Sequence, residues 1–365
     1  MCCNRGFCVV NYNKKRGRKM KRFFSIILVL SIVFGCFGLT AFADDEYPVK
    51  RNRLLIRDPY VLVYDGKYYM YGTCLSNGNG YGCSVSENLE DWSYPVQIYT
   101  PAEGSDEIAD FWAPECHYYD GCFYLFATYR SEKSGKRGTA IYKSSSPTGP
   151  FEMITDGHAT PKEIDCIDGT LFIDDDGQPW MVYVNEWTSS PDGVGEMAAA
   201  KLSNDLTHFI SEPIVLFRAR KHIWTTGSVT DGPCLYKTEN GRLIMLWSNL
   251  DKSSNYAVGI AASDNGKIDG NWIHYPDAFY KKNGNNEFDG GHPMLFRTLE
   301  GRLMMSIHSP NGASSEIFET ASFYPIEDNG NIITIADGNA FTPLINAVYE
   351  IYYQVIKFCF KIKEI

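Results

Sequence analysis

Residues 58–71 read DPYVLVYDGKYYMY, which is a polar residue, an apolar strand, a two-residue turn and a second apolar strand. The turn is Asp65-Gly66. An Asp-Gly pair between apolar strands is typical of a β-hairpin, because a type I′ turn needs positive φ at both central residues. The segment therefore predicts a hairpin whose first strand begins at Asp58.

The same pattern recurs four more times, each time with a polar leading residue and a turn that ends in Gly. A second marker follows each of the first four hairpins, a Ser six to nine residues before a Trp or Phe. These pairs are Ser86–Trp92, Ser145–Phe151, Ser203–Phe209 and Ser263–Trp272. The leading residues are Asp58, Glu115, Asp168, Asp231 and His292, separated by 57, 53, 63 and 61 positions.

Two markers that share a period near 60, with four strands per unit, are typical of propeller blades. Residues 50–345 hold five such units. The sequence predicts an all-β fold, a five-bladed β-propeller with four antiparallel strands per blade, and no helical domain after position 44. The 32 Gly and 24 Tyr agree with a fold rich in turns and strands.

Charge is distributed unevenly along the chain. Residues 1–43 contain eight basic and no acidic residues, so the formal charge of −10 becomes −18 without them. Basic residues, an apolar run over 23–39 and Ala41-Phe42-Ala43 are typical of a cleaved signal peptide, with Met20 as an alternative start. An uncleaved membrane anchor is the alternative interpretation. We expect a secreted or envelope-associated protein, and the acidic remainder argues against nucleic acid as a partner.

The sequence divides into a leader over 1–43, a propeller over 44–345 and a segment over 346–365, interpreted as a closing strand or a tail. Seven cysteines follow the leader. Their odd number and the length of the chain indicate buried small apolar residues rather than a disulfide framework, with a Cys74–Cys83 bridge as an alternative.

The first strand of each propeller blade lines the central channel, so the five leading residues are expected to meet at one mouth. Crowded carboxylates raise some of their pKa values, so one acid can stay protonated beside an ionised neighbour. Glycoside hydrolysis requires this division of roles. For a single Asp, a turn or cap role is the simpler interpretation, and a calcium site is a second alternative for the cluster.

These residues resemble glycoside hydrolase family 43. The resemblance covers about residues 50–335 and implies a five-bladed propeller that cleaves arabinose- or xylose-containing polysaccharides with inversion. The motifs that carry it are Arg57-Asp58-Pro59, Phe111-Trp112-Ala113-Pro114-Glu115, Ile167-Asp168-Gly169, Asp231-Gly232-Pro233, Ser145–Phe151 and Gly291-His292.

The resemblance implies a role for each carboxylate. Asp58 would be the general base that activates water, and Asp168 would tune the pKa and orientation of the general acid. The acid position falls on Asp231, where the family usually carries Glu. Because Asp is one methylene shorter, Glu186 and Glu196 are alternative acids.

Other residues are candidates for binding. Trp112, Glu115 and Trp224 are predicted to contact substrate, with a core position as the alternative for Trp112 and a loop position at the substrate rim expected for Trp224. His292 resembles the family histidine near a water-coordinated calcium ion, with a structural hydrogen-bonding role as its alternative. No cofactor is required.

We therefore expect a monomeric, secreted hydrolase that acts on plant cell-wall polysaccharide or oligosaccharide and does not stay inserted in a membrane. Two alternatives stay open. One is a carbohydrate-binding propeller in which Asp231 has lost its acid function, and the other is a related propeller hydrolase for a different sugar, such as galactose or fructose.

Overall fold

The computed structural model describes residues 49–220, 222–312, 317–336 and 342–363. Their strands form five antiparallel sheets, one for each predicted blade. Blade 1 contains β1 (Val49–Lys50), β2 (Arg57–Tyr64), β3 (Lys67–Thr73), β4 (Tyr81–Ser86), β5 (Asp91–Trp92) and β6 (Val96–Tyr99). Blade 2 contains β7 (Glu107–Tyr119), β8 (Cys122–Ser131), β9 (Arg137–Ser144) and β10 (Glu152–Met153). Blade 3 contains β11 (Cys166–Ile173), β12 (Pro179–Asn185), β13 (Glu196–Lys201) and β14 (Ile214–Arg218). Blade 4 contains β15 (Asp231–Lys237), β16 (Leu243–Leu250), β17 (Tyr256–Ser263) and β18 (Trp272–His274). Blade 5 contains β19 (Gly291–Arg297), β20 (Leu303–Ser309), β21 (Thr320–Asp328) and β22 (Ile333–Ile335).

The first long strand of each blade lies at the centre of the ring. Strand β2 contacts β7 and β19, β11 contacts β7 and β15, and β15 contacts β19. In blades 2, 3, 4 and 5 the remaining strands follow outward in chain order. The prediction of a five-bladed β-propeller is therefore confirmed.

The ring closes where blade 1 meets blade 5. Ser306 Oγ donates a hydrogen bond to the carbonyl of Pro59 (2.6 Å), and the amide of Ile56 donates to the carbonyl of Glu319 (3.1 Å). Strand β1 pairs with β5 of its own blade, so the four strands of blade 5 all come from residues 291–335. Closure therefore depends on contacts between inner strands and on the segment before β2.

Each inner strand contains a bulge where two residues lie between consecutive pairs of the ladder, near the start of the strand in blades 1, 3, 4 and 5 and in the middle of β7 in blade 2. The first bulge residue always has positive φ, which is uncommon for residues other than Gly and characteristic of functional sites. These first residues are Asp58 (φ 54°), Ala113 (φ 43°), Asp168 (φ 55°), Gly232 (φ 52°) and His292 (φ 57°).

The blades pack face to face, so the middle strands are buried on both sides and are continuously apolar. Leu125, Val182, Met245 and Met305 on four different blades are all fully buried. Trp92 and Trp272, which end the repeat markers of blades 1 and 4, are buried on outer strands.

The C-terminal segment is a helix, α1 (Thr342–Lys363), so the interpretation of 346–365 as a closing strand is wrong. Tyr349, Tyr353, Ile356 and Phe360 recur at helical spacing and pack against blade 4. Tyr353 Oη donates to the carbonyl of Ser263 (3.0 Å). A helix buries this stripe on one side, which a strand with period two could not do.

Two further predictions concern cysteines and membranes. Cys83 forms no disulfide, so the alternative of a bridge between Cys74 and Cys83 is wrong, and Cys83, Cys116, Cys166 and Cys234 are buried. The predicted leader lies outside the described residues. Within the described part of the chain, no helix has both the length and the apolarity needed to span a bilayer.

Candidate active site

Asp58 lies at the centre of the channel mouth between two histidines. Its Oδ1 is 3.2 Å from His292 Nδ1 and 3.3 Å from His308 Nδ1. Thr73 Oγ1 donates a hydrogen bond to Asp58 Oδ2 (2.7 Å). Both histidines are buried. Asp58 is therefore a fixed carboxylate, with a hydrogen bond to Oδ2 and two imidazole nitrogens close to Oδ1.

A ring of hydrogen bonds explains how the five bulges are held. Four bulge amides donate to a side chain on the second strand of the preceding blade. The fifth bulge amide, that of Gly232 in blade 4, has no such acceptor. The equivalent residue on the second strand of blade 3 is Val184, which pairs with Ile167 and whose side chain has no polar atom. The amide of Gly232 donates instead to Asp168 Oδ2 (3.0 Å). The other four hydrogen bonds run from the backbone amides of Ala113 to Thr73 Oγ1 (2.8 Å), Asp168 to Thr128 Oγ1 (3.1 Å), His292 to Ser248 Oγ (2.8 Å) and Asp58 to His308 Nδ1 (3.2 Å).

Asp168 joins the cluster from blade 3. Its Oδ2 lies 3.7 Å from His292 Nδ1, so one imidazole lies between Asp58 and Asp168. Gly232 is next to that imidazole, because a Cβ built on it would lie 2.8 Å from His292 Cγ. The close approach and the positive φ together require glycine at this position.

Asp231 enters the site from blade 4. In blade 4 the residue equivalent to Asp58 is the bulge residue Gly232. Asp231 directly precedes Gly232 and pairs with Ser248. Its Oδ2 accepts a hydrogen bond from the hydroxyl of Tyr256 (3.0 Å). The structure therefore brings Asp58, Asp168 and Asp231 together from three blades.

Burial and neighbouring charges drive the pKa values of these carboxyl groups apart. Burial acts to raise the pKa of Asp58, but the charge of His292, followed by the nearby His308, outweighs it, so this pKa lies well below its usual range. Burial, followed by the charge of Asp168, raises the pKa of Asp231 to about 8. Burial and the charge of Asp58 raise the pKa of Asp168. At neutral pH an ionised Asp58 therefore faces a protonated Asp231.

Glu115 does not lie at the mouth, so its prediction as a substrate contact is wrong. The bulge residue of blade 2 is Ala113, and Glu115 follows it by two positions, paired with Phe126. Its side chain is 2% exposed, and its Oε2 lies 3.3 Å from His117 Nε2. The sequence repeat aligned Glu115 with Asp58, whereas the position of the bulge makes Ala113 the residue of blade 2 that is equivalent to Asp58.

The two predicted tryptophans have different environments. Trp112 is half-buried, occupies the register position equivalent to Asp231, and lies with its ring 5.1 Å from the Arg137 guanidinium. Trp224 is 5% exposed and packs on Trp247 with ring centroids 5.1 Å apart. The prediction of Trp224 at the substrate rim is therefore wrong, because its ring belongs to the core.

The alternative acids are engaged in ion pairs. Arg137 Nε donates a hydrogen bond to Glu186 Oε2 (2.7 Å), and Glu196 Oε1 lies 3.2 Å from Arg218 Nε. The charge of Arg137 acts to lower the pKa of Glu186, but burial outweighs it, so this pKa is raised above its usual value. Both glutamates are held by arginine side chains, whereas Asp231 accepts a hydrogen bond from the neutral Tyr256 hydroxyl and feels the charges of Asp168 and Asp58. Asp231 is therefore the stronger acid candidate.

The side chains around His292 bear on whether a calcium ion could be coordinated there directly. Calcium prefers six to eight oxygen ligands. Among the described residues no group of three or more His, Cys, Asp or Glu side chains is arranged to hold a metal ion. The side chains therefore do not fit a directly coordinated calcium ion, and no step of the mechanism below depends on one.

The geometry agrees with a sequence comparison. A model of the family described as glycosyl hydrolases family 43 matches residues 47–325. The chain belongs to this family. The motifs around Asp58, Trp112, Asp168 and Asp231 predicted this membership, and it is confirmed.

Three relatives show the range of names in family 43. A structure titled as an endo-arabinase from Bacteroides thetaiotaomicron VPI-5482 is 35% identical, with a TM-score of 0.70 over 79% of this chain and 100% of that one. An endo-1,4-beta-xylanase structure from the same organism is 28% identical, with a TM-score of 0.66 over 78% and 94%. The extracellular endo-alpha-(1->5)-L-arabinanase 1 of Bacillus subtilis (strain 168) is 24% identical over 48% of this chain and 56% of that protein. The chain spans about half the length, or less, of the curated relatives it matches.

Several residues around the family 43 carboxylates were missed by the sequence interpretation. Thr73, Tyr256 and His308 lie near strand ends, and their pattern shows no feature that distinguishes them from ordinary strand residues. Arg57 did have a signal, because it directly precedes Asp58. Its guanidinium pairs with Glu319 and adds positive charge near Asp58.

Proposed function

We propose that this chain hydrolyses O-glycosidic bonds of arabinose- or xylose-containing glycans by an inverting mechanism with two carboxyl groups. The observation that carries the proposal is the opposite displacement of two pKa values within one buried cluster, downward at Asp58 and to about 8 at Asp231. A general base must be ionised and a general acid protonated at the same pH, and this pair meets both conditions.

The proposed reaction follows from these protonation states. Asp58 accepts a proton from a water molecule as that oxygen attacks the anomeric carbon. The bond from the anomeric carbon to the glycosidic oxygen breaks, and its electron pair stays on the leaving oxygen. Asp231 supplies the proton that this oxygen takes up. Asp58 ends protonated and Asp231 ionised, so one proton exchange with solvent restores the site.

Asp168 supports the acid in two ways. In its ionised form Asp168 raises the pKa of Asp231, an effect second only to that of burial. Its Oδ2 also holds the amide of Gly232, the residue directly after the acid. Asp168 therefore acts on both the protonation and the position of Asp231.

The sugar class is proposed from two observations. The relatives carry names of arabinan- and xylan-acting enzymes. Trp112 presents a half-buried indole at the mouth, which suits the C–H face of a sugar ring. Plant cell-wall polysaccharide and its oligosaccharides are the substrates that both support.

A substrate screen tests the proposal. Aryl α-L-arabinofuranoside, aryl β-D-xyloside, linear arabinan and xylan are assayed for release of aglycone or reducing ends, and proton NMR follows the anomer formed first. Hydrolysis with an inverted first product supports the proposal, and a retained product overturns the mechanism. Sugar binding without bond cleavage supports the carbohydrate-binding alternative. Cleavage only of galactosides or fructosides assigns a different sugar.

Other expectations from the sequence stay predictions. Export through a cleaved leader predicts a mature N-terminus near Asp44, which mass spectrometry of the secreted protein checks. A monomer is expected by light scattering. A water-coordinated calcium ion beside His292 predicts a melting temperature that falls on chelation and recovers with added calcium.

A further inference from the structure

Tyr256 contacts the acid candidate although 25 positions separate the two residues in sequence. It begins β17, the third strand of blade 4, and is 4% exposed. Its hydroxyl donates to Asp231 Oδ2 at 3.0 Å. The inner strand therefore supplies the carboxyl group, and the third strand of the same blade supplies its hydrogen-bond donor.

Three contacts fix the position of the Tyr256 ring. Its amide donates to Asp289 Oδ2 (3.1 Å). Its ring stacks on His308, with centroids 5.4 Å apart and planes inclined by 21°. The ring also needs the space above Gly291, where a Cβ would lie 2.4 Å from Tyr256 Cε1. The phenol is therefore rigid in the direction of Asp231.

His308 extends this arrangement to the base, because its Nδ1 accepts the amide of Asp58 at 3.2 Å. Tyr256 contacts Asp231, His308 contacts Asp58, and the two rings stack on each other. The stacked pair therefore links the acid candidate to the base candidate. A fixed distance between acid and base is what inversion requires, since a water molecule must fit on the face opposite the leaving group.

The short side chain at the acid position gives this contact its importance. In a protonated carboxyl group the carbonyl oxygen is the better acceptor, so a donor fixed at Oδ2 favours the proton on Oδ1. We propose that Tyr256 is a positioning residue for Asp231, whose hydroxyl holds Oδ2 and thereby directs the protonated Oδ1 toward the leaving glycosidic oxygen. The inference rests on the proposed function. Tyr256 itself keeps its proton throughout, since burial raises the pKa of its phenol well above the usual range.

Other charged groups act on the same two residues. The charges of Asp168, His292 and Asp58 shift the pKa of Asp231. The charges of Asp58, Arg57 and Asp168 shift the pKa of Tyr256. A test of Tyr256 therefore compares variants that differ only in the hydroxyl, so that these charges are common to both.

The variant Tyr256→Phe removes the hydroxyl and keeps the ring on His308. We expect kcat for an arabino- or xylo-oligosaccharide to fall about 10- to 100-fold, because its poor leaving group needs an aligned acid. For the matching 4-nitrophenyl glycoside, whose leaving group needs little protonation, the loss is expected to stay below about threefold. Tyr236→Phe is the matched control, because Tyr236 Oη donates to Asp328 Oδ2 (2.9 Å) at a different carboxylate.

Two further measurements separate positioning from a structural role. In a ¹³C NMR titration the pKa of the Asp231 carboxyl should rise in Tyr256→Phe, because the lost hydrogen bond stabilised the ionised form. In an Asp231→Asn background, Tyr256→Phe should cause no further loss of kcat.

Equal losses on both substrates with an unchanged Asp231 titration would overturn the inference, as would an undiminished Tyr256→Phe effect in the Asp231→Asn background. A wild-type protein that cleaves neither substrate would instead overturn the proposed function. The titration would still decide whether Tyr256 controls the Asp231 carboxyl, because it does not depend on turnover.

Discussion

The amide of Gly232 donates its hydrogen bond to Asp168 Oδ2 at 3.0 Å, in the one blade junction where the second-strand acceptor is replaced by Val184. The other four bulge amides are satisfied by Thr, Ser or His side chains. Asp168 therefore completes the ring of hydrogen bonds as well as supplying charge. A buried N–H left unpaired costs about 1–3 kcal/mol, so this contact contributes to folding and to the site together.

The first prediction concerns this double role. Asp168→Asn keeps an acceptor oxygen for the Gly232 amide, whereas Asp168→Ala does not, and neither carries charge. We expect the free energy of unfolding of Asp168→Ala to be about 1–3 kcal/mol lower than that of Asp168→Asn, as measured by chemical denaturation. Both variants should lose most activity on oligosaccharide, because the charge that raises the pKa of Asp231 is gone from each.

Val184→Thr provides the control for that comparison. The added threonine hydroxyl can accept the hydrogen bond of the Gly232 amide only when the Asp168 carboxylate no longer accepts it. In the Asp168→Ala background it should therefore recover part of the lost stability, and in the wild-type background it should not stabilise. The same effect of Val184→Thr in both backgrounds would contradict the proposed replacement of one acceptor by the other.

The second prediction concerns the base. Asp58→Asn keeps the shape of the side chain but cannot accept the proton of the attacking water, so activity should fall about 10²- to 10⁴-fold with an unchanged circular dichroism spectrum. Asp65→Asn is the matched control, because Asp65 occupies a hairpin turn at φ 46°, where Asn is equally suitable. Hydrolysis at the wild-type rate by Asp58→Asn would refute the assignment.

Much of the fold could be predicted from the sequence because its signals are local. The Asp65-Gly66 turn specifies its hairpin through backbone preference alone, and repetition of that hairpin reveals the blade period. The convergence of Asp58 and Asp168 then follows from topology, since both begin inner strands. Helix α1 also had a local signal, the spacing of Tyr349, Tyr353 and Phe360, which the interpretation as a closing strand or a tail did not use.

The errors at the site arise from contacts between blades. Glu115 was aligned with Asp58 by counting, but the bulge of blade 2 is fixed at Ala113 by the hydroxyl of Thr73 in the neighbouring blade. Trp224 was placed at the rim, but its ring fills the space above Gly259, 35 positions later, where a Cβ would lie 2.3 Å away. No local pattern encodes such pairs.

The third prediction is an asymmetric pH dependence. The acid must be protonated, so kcat/KM for oligosaccharide should decline as pH rises through about 8, the pKa to which burial and Asp168 raise Asp231. The base must be ionised, and because the pKa of Asp58 lies well below its usual range, activity should persist in acid until the fold is lost. An assay from pH 3 to 10, with circular dichroism at each point, measures both limits.

Asp231→Asn is the control for the alkaline limit. It should abolish the decline near pH 8 while leaving a low activity that varies little with pH. An alkaline limit near the ordinary carboxyl pKa of about 4 in the wild-type enzyme would contradict the assignment of Asp231 as the acid.

The last prediction concerns Trp112, whose indole lies at the register position equivalent to Asp231 and against the Arg137 guanidinium. If the ring stacks on a sugar, Trp112→Ala should raise KM for oligosaccharide about 3- to 10-fold with a smaller change in kcat, and Trp112→Phe should lose less. Tyr118→Ala is the matched control, because Tyr118 is an exposed aromatic near the opposite end of the same strand. A Trp112→Ala variant with a lowered melting temperature and an unchanged KM would show instead that the indole serves only to cover Arg137.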